Sequence, residues 1–182
     1  MRLKRIASHT VDVDLIPHWA TVLDVGCRDF DFSQAMANLG AIVHAFDPAP
    51  DVLEIASKGI YFHQAAVVGK GLGGPRKIVI AGNGSRLDDD AEFPVMAFEL
   101  ESVHQDLGPF ALVKLDCEGS EYGILLTWPG PITRQITVEY HEHTGQGKAV
   151  HGEDVYERIA AHLGQWYRLA QDEPMDTLWT LK

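Results

Sequence analysis

Thr21-Val22-Leu23-Asp24-Val25-Gly26-Cys27, followed by Ala41-Ile42-Val43-His44-Ala45-Phe46-Asp47, is the stretch whose reading decides the fold. Each half is a short apolar run that ends in a carboxylate. The segment between them has helical spacing, with Phe32, Ala35, Met36 and Leu39 on one face. Gly26 allows a sharp turn and a close approach of a ligand to the backbone. Strand, glycine turn, helix, strand and acid together form the ground plan of a nucleotide-binding α/β half. Asp24 and Asp47 stand 23 positions apart, near the ~20 expected between a glycine turn and a ribose-binding acid. The pattern predicts a site for an adenosine-containing ligand.

Outward from this half, residues 1–20 read as a lead-in of one or two amphipathic turns. Asp31 or Ser33 caps the helix that Gly40 stops. The Pro48/Pro50 pair opens a helix over 51–58. Ile60 to Val68 is a third strand, and Lys77 to Ala81 and Val95 to Leu100 are two more around a flexible segment, 82–94. Phe110 to Leu115 is a central strand broken only by Lys114, and Gly119-Ser120 leads into a helix with Tyr122, Leu125 and Leu126. Gln135 to Tyr140 is another strand and Asp154 to Leu163 another helix. Trp166 to Leu169 and Leu178 to Leu181 can close the sheet as an antiparallel edge pair. Strands alternating with helices imply a mostly parallel, twisted α/β sheet with helices on both faces. One domain, 1–182, is expected, with 69–94 and 142–152 as lid loops.

Composition narrows the partners. Fifteen basic against 26 acidic residues give a formal charge of −11, which repels a phosphate backbone and argues against nucleic acid. No apolar run approaches the ~18 residues a membrane span needs. The basic start, Met1-Arg2-Leu3-Lys4-Arg5, has no apolar stretch behind it to make a signal peptide. Cys27 and Cys117 make no disulfide framework, so a cytoplasmic location is expected. The acidic run Asp88-Asp89-Asp90-Ala91-Glu92 reads as a solvated loop, since adjacent carboxylates do not fold around an ion.

Ligands of such sheets bind beyond the carboxyl ends of the strands. Four strands here end in Asp24, Asp47, Asp116, and Glu139 with His141. Asp47 can accept two hydrogen bonds from a ribose diol, or cap the following helix. Asp24 orders the Gly26 turn or reaches the ligand, and Gly26 and the Cys27 backbone admit it. The thiols of Cys27 and Cys117 read as packing.

Val22-Leu23-Asp24-Val25-Gly26-Cys27 and Ala45-Phe46-Asp47-Pro48 resemble the two cofactor motifs of the FkbM-type S-adenosylmethionine-dependent methyltransferases. Val113-Lys114-Leu115-Asp116-Cys117-Glu118-Gly119-Ser120-Glu121 is similar to that family's K-hydrophobic-D-x-E-G-x-E signature. Thr137-Val138-Glu139-Tyr140-His141 is similar to its V-E-x-H strand end. The resemblance spans about residues 20–143. It implies a Rossmann-like class I fold, S-adenosylmethionine as cofactor, Asp47 on the ribose and Asp116 near the methionine end or the acceptor. Arg28, Asp29 and Phe30 stand where a further glycine is usual. Phe30 then crowds the methionine end or Arg28 grips its carboxylate. His63, Gln64 or Asn83 can meet the adenine.

The reaction so implied is methyl transfer to a hydroxyl of a small molecule or sugar, which needs in-line positioning and a base. His141 is the first candidate for the base, because its ordinary pKa of ~6.5 suits neutral pH. Glu118 and Glu121 come second. A divalent metal on Asp116, Glu139 and His141 is possible but not favoured. The alternatives are a non-catalytic cofactor-binding module that kept the fold, a nicotinamide oxidoreductase, which lacks its G-x-G-x-x-G, and a nucleic-acid methyltransferase, which the charge opposes. A second subunit can complete an open site of this kind, so a homo-oligomer remains possible.

Overall fold

The computed structural model of the chain describes residues 1–49, 57–81, 84–88, 90–142, 147–173 and 176–182. The helix expected over 51–58 falls largely outside these, as do Asn83 and His143. The central β-strands are β3 (Thr21–Val25), β4 (Ile42–Phe46), β5 (Ile60–His63), β10 (Phe110–Leu115) and β11 (Thr133–Glu139). With β12 (Tyr167–Glu173) and β13 (Asp176–Leu181) they form a seven-stranded sheet in the order β12-β13-β11-β10-β3-β4-β5. The five central strands run parallel, β13 is antiparallel to β11, and β12 is antiparallel to β13. The chain leaves β3 toward β4 and β5 and returns on the other side at β10. That reversal opens a crevice beyond the strand ends.

Side chains on the buried strands alternate between two cores, as the two-residue period requires. Leu23, Val25, Val113, Leu115, Ile136 and Val138 face helices α3 (Ser120–Leu126) and α5 (Val155–Leu163). Val22, Val43, Ala45 and Leu112 face α1 (Asp31–Asn38), which contributes Phe32 and Met36. With both faces covered, β3 and β10 are mostly apolar. Asp24 and Lys114 are their charged exceptions, and both point to the α1 side next to Phe32.

Three regions differ from the expectation. The lead-in is a β-hairpin, β1 (Leu3–Ile6) and β2 (His9–Asp12), followed by a 3-10 turn at Val13–Leu15. Its connection, Ala7-Ser8, holds both residues at positive φ (45° and 67°) without the Asn-Gly pair that normally signals such a turn. β2 carries a single apolar residue, Val11, which is buried in the α1-side core, and the rest of it docks through a polar seam. Asp12 N donates to Gln135 Oε1 (2.9 Å), Gln135 Nε2 returns to Asp12 O (3.0 Å), and Thr10 Oγ1 donates to Asp176 (3.0 Å). Every buried polar group paired in this way avoids the desolvation cost that would otherwise eject the hairpin.

The expected single strand over 60–68 breaks at Gln64-Ala65 into β5 and β6 (Ala66–Val68). β6 joins a second, four-stranded sheet, β6-β9-β7-β8, built from β7 (Gly74–Ala81), β8 (Gly84–Leu87) and β9 (Phe93–Glu99). Part of the segment read as flexible is therefore a hairpin. The helix α2 (Leu100–Leu107) was unforeseen, and it buries Leu100 and Val103. A short α4 (Lys148–His151) lies within the segment read as a lid. Among the described residues no helix is long and apolar enough to cross a membrane.

On β4 and β5, His44 Nδ1 and His63 Nε2 lie 3.1 Å apart, stacked with Tyr61 and Phe46. That contact needs at least one neutral ring. Burial lowers both pKa values, and for His44 the neighbouring His63 adds to it. Unfolded histidines take up protons first as pH falls below 6.5, so this contribution is complete above pH 6.5 and is lost below it. Urea midpoints should fall more steeply between pH 7 and 5 in the wild type than in His63→Gln. Equal slopes would remove the pair from the account.

Candidate functional site

A cavity of about 530 Å³ lies over the strand-order reversal. Gly26 after β3, Asp47 after β4 and Asp116 after β10 form its floor, and the Ala7-Ser8 turn and Leu87 of β8 stand on its rim. At Gly26 φ is +84°, and its amide donates to Phe46 O (2.8 Å). A Cβ there would lie 1.7 Å from the Asp116 carbonyl oxygen. Glycine is required because the ends of β3 and β10 meet at this point, in addition to any ligand it admits.

Lys114 is the residue whose partners the sequence hid. Its side chain is buried, with Nζ 3.0 Å from Asp24 Oδ1 and 3.1 Å from Asp116 Oδ2, and it donates a hydrogen bond to Gly26 O (2.6 Å). Burial alone would lower the ammonium's pKa, but Asp24 and Asp116 outweigh it and raise it above that of an ordinary lysine. Asp24 also accepts from Ser33 Oγ at 2.6 Å, which ties α1 to the sheet. Asp24 is thus fully buried behind the cavity wall. It connects to the cavity wall through Lys114, which also bonds the Gly26 carbonyl. A lone charge inside an otherwise apolar strand was the available signal.

Asp116 is surrounded by cations and imidazoles. Burial pushes its carboxyl up, but Lys114 first, then His9 and His141, hold it well below the usual carboxylate range. His141 Nε2 is 3.3 Å from Asp116 Oδ1, and its Nδ1 is 3.2 Å from Glu121 Oε1. Burial lowers the His141 pKa, but the hydrogen bond and charge of Glu121, followed by Asp116, push it up to about 9. Glu121 is fully buried and accepts from the backbone amides of Gly119 (2.8 Å) and His141 (2.9 Å). Glu118 lines the cavity from a positive-φ position, beside Ser120 at the start of α3. Of the three proposed catalytic residues, only Glu118 stands on the cavity wall.

On the β4 side, Asp47 lines the cavity and its Oδ1 accepts from Ala49 N at 2.9 Å. Burial raises its pKa, while the Ala49 bond and the Arg28 charge counter the shift. Arg28 is on the cavity wall. Phe30 instead turns into the core at φ 61°, edge-on to Phe62 with centroids 5.4 Å apart. The αL conformation that a glycine usually takes is held here by a buried ring. Cys27 is buried in the same core. Burial is the main reason its thiol pKa is raised, as it is for Cys117. His9 and Ser8 joined the site without any sequence signal: His9 Nε2 is 3.4 Å from Asp116 Oδ2, and Ser8 Oγ donates to Glu139 Oε2 at 3.1 Å. Of the trio suggested for a metal, Asp116 and Glu139 gather with His9, whereas His141 lies between Asp116 and Glu121.

The strand order and the cavity at its reversal define an α/β protein with a mostly parallel seven-stranded sheet and a ligand-sized crevice at its switch point. Over 93% of its length the chain is similar to a Listeria monocytogenes structure assigned as an S-adenosylmethionine dependent methyltransferase, with 12% identity and a TM-score of 0.50, and it covers 94% of that chain. It is also similar to monomeric WbdD over 90% of its length, with 14% identity and a TM-score of 0.51. The chain spans only 36% of WbdD. No family model matches the sequence, and no curated protein does. These likenesses show the fold alone.

Proposed function

We propose that this chain is an S-adenosylmethionine-dependent methyltransferase of Rossmann-like, FkbM-type organisation, acting on a hydroxyl of a small molecule or sugar. The observation that carries this reading is the convergence of Gly26, Arg28, Asp47 and Asp116 on one cavity at the strand-order reversal. When bound, the cofactor supplies an electrophilic methyl group on a sulfonium sulfur. Asp47 accepts from the ribose hydroxyls, Arg28 faces the methionine carboxylate, and the Gly26 turn lets the ligand approach the backbone. Asp116, kept ionised by Lys114, presents a fixed negative charge. Glu118 takes the acceptor's proton. His141, already carrying a proton between two carboxylates, is a positioning residue for Asp116, and Glu121 holds His141 in turn.

Calorimetric titration with S-adenosylmethionine and S-adenosylhomocysteine tests the reading. Micromolar binding is expected, weakened at least ~10-fold in Asp47→Ala, because hydrogen bonds to a charged acceptor contribute about 1.5–3 kcal/mol each. Absence of binding by the folded chain overturns the assignment. Binding without transfer to a panel of sugars and diols favours the non-catalytic module.

A further inference from the structure

Beside the cavity, the hairpin, β10 and β11 bring three potential donors together. One donor atom each from His9, Asp116 and Glu139 lies within 4.8 Å of the other two. The His9 ring is buried, yet it makes poor hydrogen bonds. Nε2 stands 3.4 Å from Asp116 Oδ2 and 3.8 Å from Glu139 Oε2, and Nδ1 has no partner among the described residues. Those spacings are long for direct bonds. They suit donors that share an ion: at metal–ligand distances of ~2.1 Å, pairs 3.4 and 3.8 Å apart subtend roughly 110° and 130°. The oxygens that face His9 each take a second contact, Asp116 Oδ2 from Lys114 Nζ (3.1 Å) and Glu139 Oε2 from Ser8 Oγ (3.1 Å). Such outer contacts fix the orientation of metal ligands.

We infer that a divalent transition-metal ion binds between His9, Asp116 and Glu139, under the Ala7-Ser8 turn at the edge of the cavity. An imidazole with two carboxylates selects an ion of the Mn²⁺ or Zn²⁺ type over Ca²⁺ or Mg²⁺, which prefer oxygen donors. Three protein ligands leave coordination positions open for acceptor oxygens. Resting on the methyltransferase reading, this narrows the acceptor to compounds with two neighbouring oxygens, such as a vicinal diol. It also gives the N-terminal hairpin a part in the site, because His9 comes from β2.

The test is equilibrium titration of the chelator-stripped full chain with Mn²⁺, followed by electron paramagnetic resonance, and with Zn²⁺ against a chromophoric chelator. One saturable site is expected, weakened at least ten-fold in both His9→Ala and Glu139→Gln and unchanged in His18→Gln, an exposed imidazole outside the cluster. Should His9→Ala fail to fold, Glu139→Gln decides, since its carboxylate is partly exposed and conservatively replaced. Absence of a saturable site in the folded wild type, or affinity unmoved in Glu139→Gln, overturns the inference. Cofactor titration in excess chelator runs separately. Metal binding without cofactor binding would sink the enzyme reading alone, and the reverse would sink the metal site alone.

Discussion

Gly26→Ala is expected to leave the chain unfolded, or less stable by at least ~4 kcal/mol, the range reserved for a named structural catastrophe. Two penalties coincide there. The backbone at φ +84° disfavours any Cβ, and the added atom would stand 1.7 Å from a carbonyl oxygen that cannot rotate away. Relief requires β3 and β10 to separate where they build the cavity floor. Gly71→Ala is the matched control, with φ +83° and nothing within 4 Å of the added atom. It should lose only the left-handed strain of ~1–2 kcal/mol. Urea unfolding of both variants measures the difference. Equal losses would mean that the close approach of the two strand ends carries no weight.

Lys114→Met should destabilise the chain by ~3–5 kcal/mol, since it strands the carboxylate of Asp24 in the core without a cation. Asp24 is fully buried, and the Ser33 hydroxyl is one weak donor against a whole charge. Adding Asp24→Asn removes that stranded charge, so the double variant should recover a substantial part of the loss. Denaturant unfolding across the four-member cycle yields the coupling, expected to exceed ~1 kcal/mol for groups in one network. Strictly additive losses would show that Lys114 and Asp24 act independently, and the account of the site's centre would fall. The same variants should also weaken cofactor binding, because Lys114 fixes both the Gly26 carbonyl and Asp116.

Much of the β3–β4 half was legible because it is local. The turn after β3, the helix α1 and the acid after β4 follow one another within a single stretch, and the alternation of burial writes each strand into the order of its residues. Position 114 was visible as a charge in an apolar run, but its partners were not. The same holds for His141, whose contacts with the buried Glu121 and with Asp116, which push its pKa up to about 9, come from residues distant in the chain. The arrangement of Phe30 and Arg28 stayed open for a similar reason. Which of the two turns inward depends on Phe62, a residue of another strand.

The sequence alone determined the parallel α/β sheet, the glycine turn, and the carboxylates at the ends of β3, β4 and β10. Only the tertiary structure decided which charges meet. His9 reaches Asp116 across 107 residues, and the hairpin carrying it is anchored by polar contacts. Periodic burial leaves a trace in the order of residues, whereas a paired polar seam is encoded jointly by two distant segments and is satisfied only once they are docked.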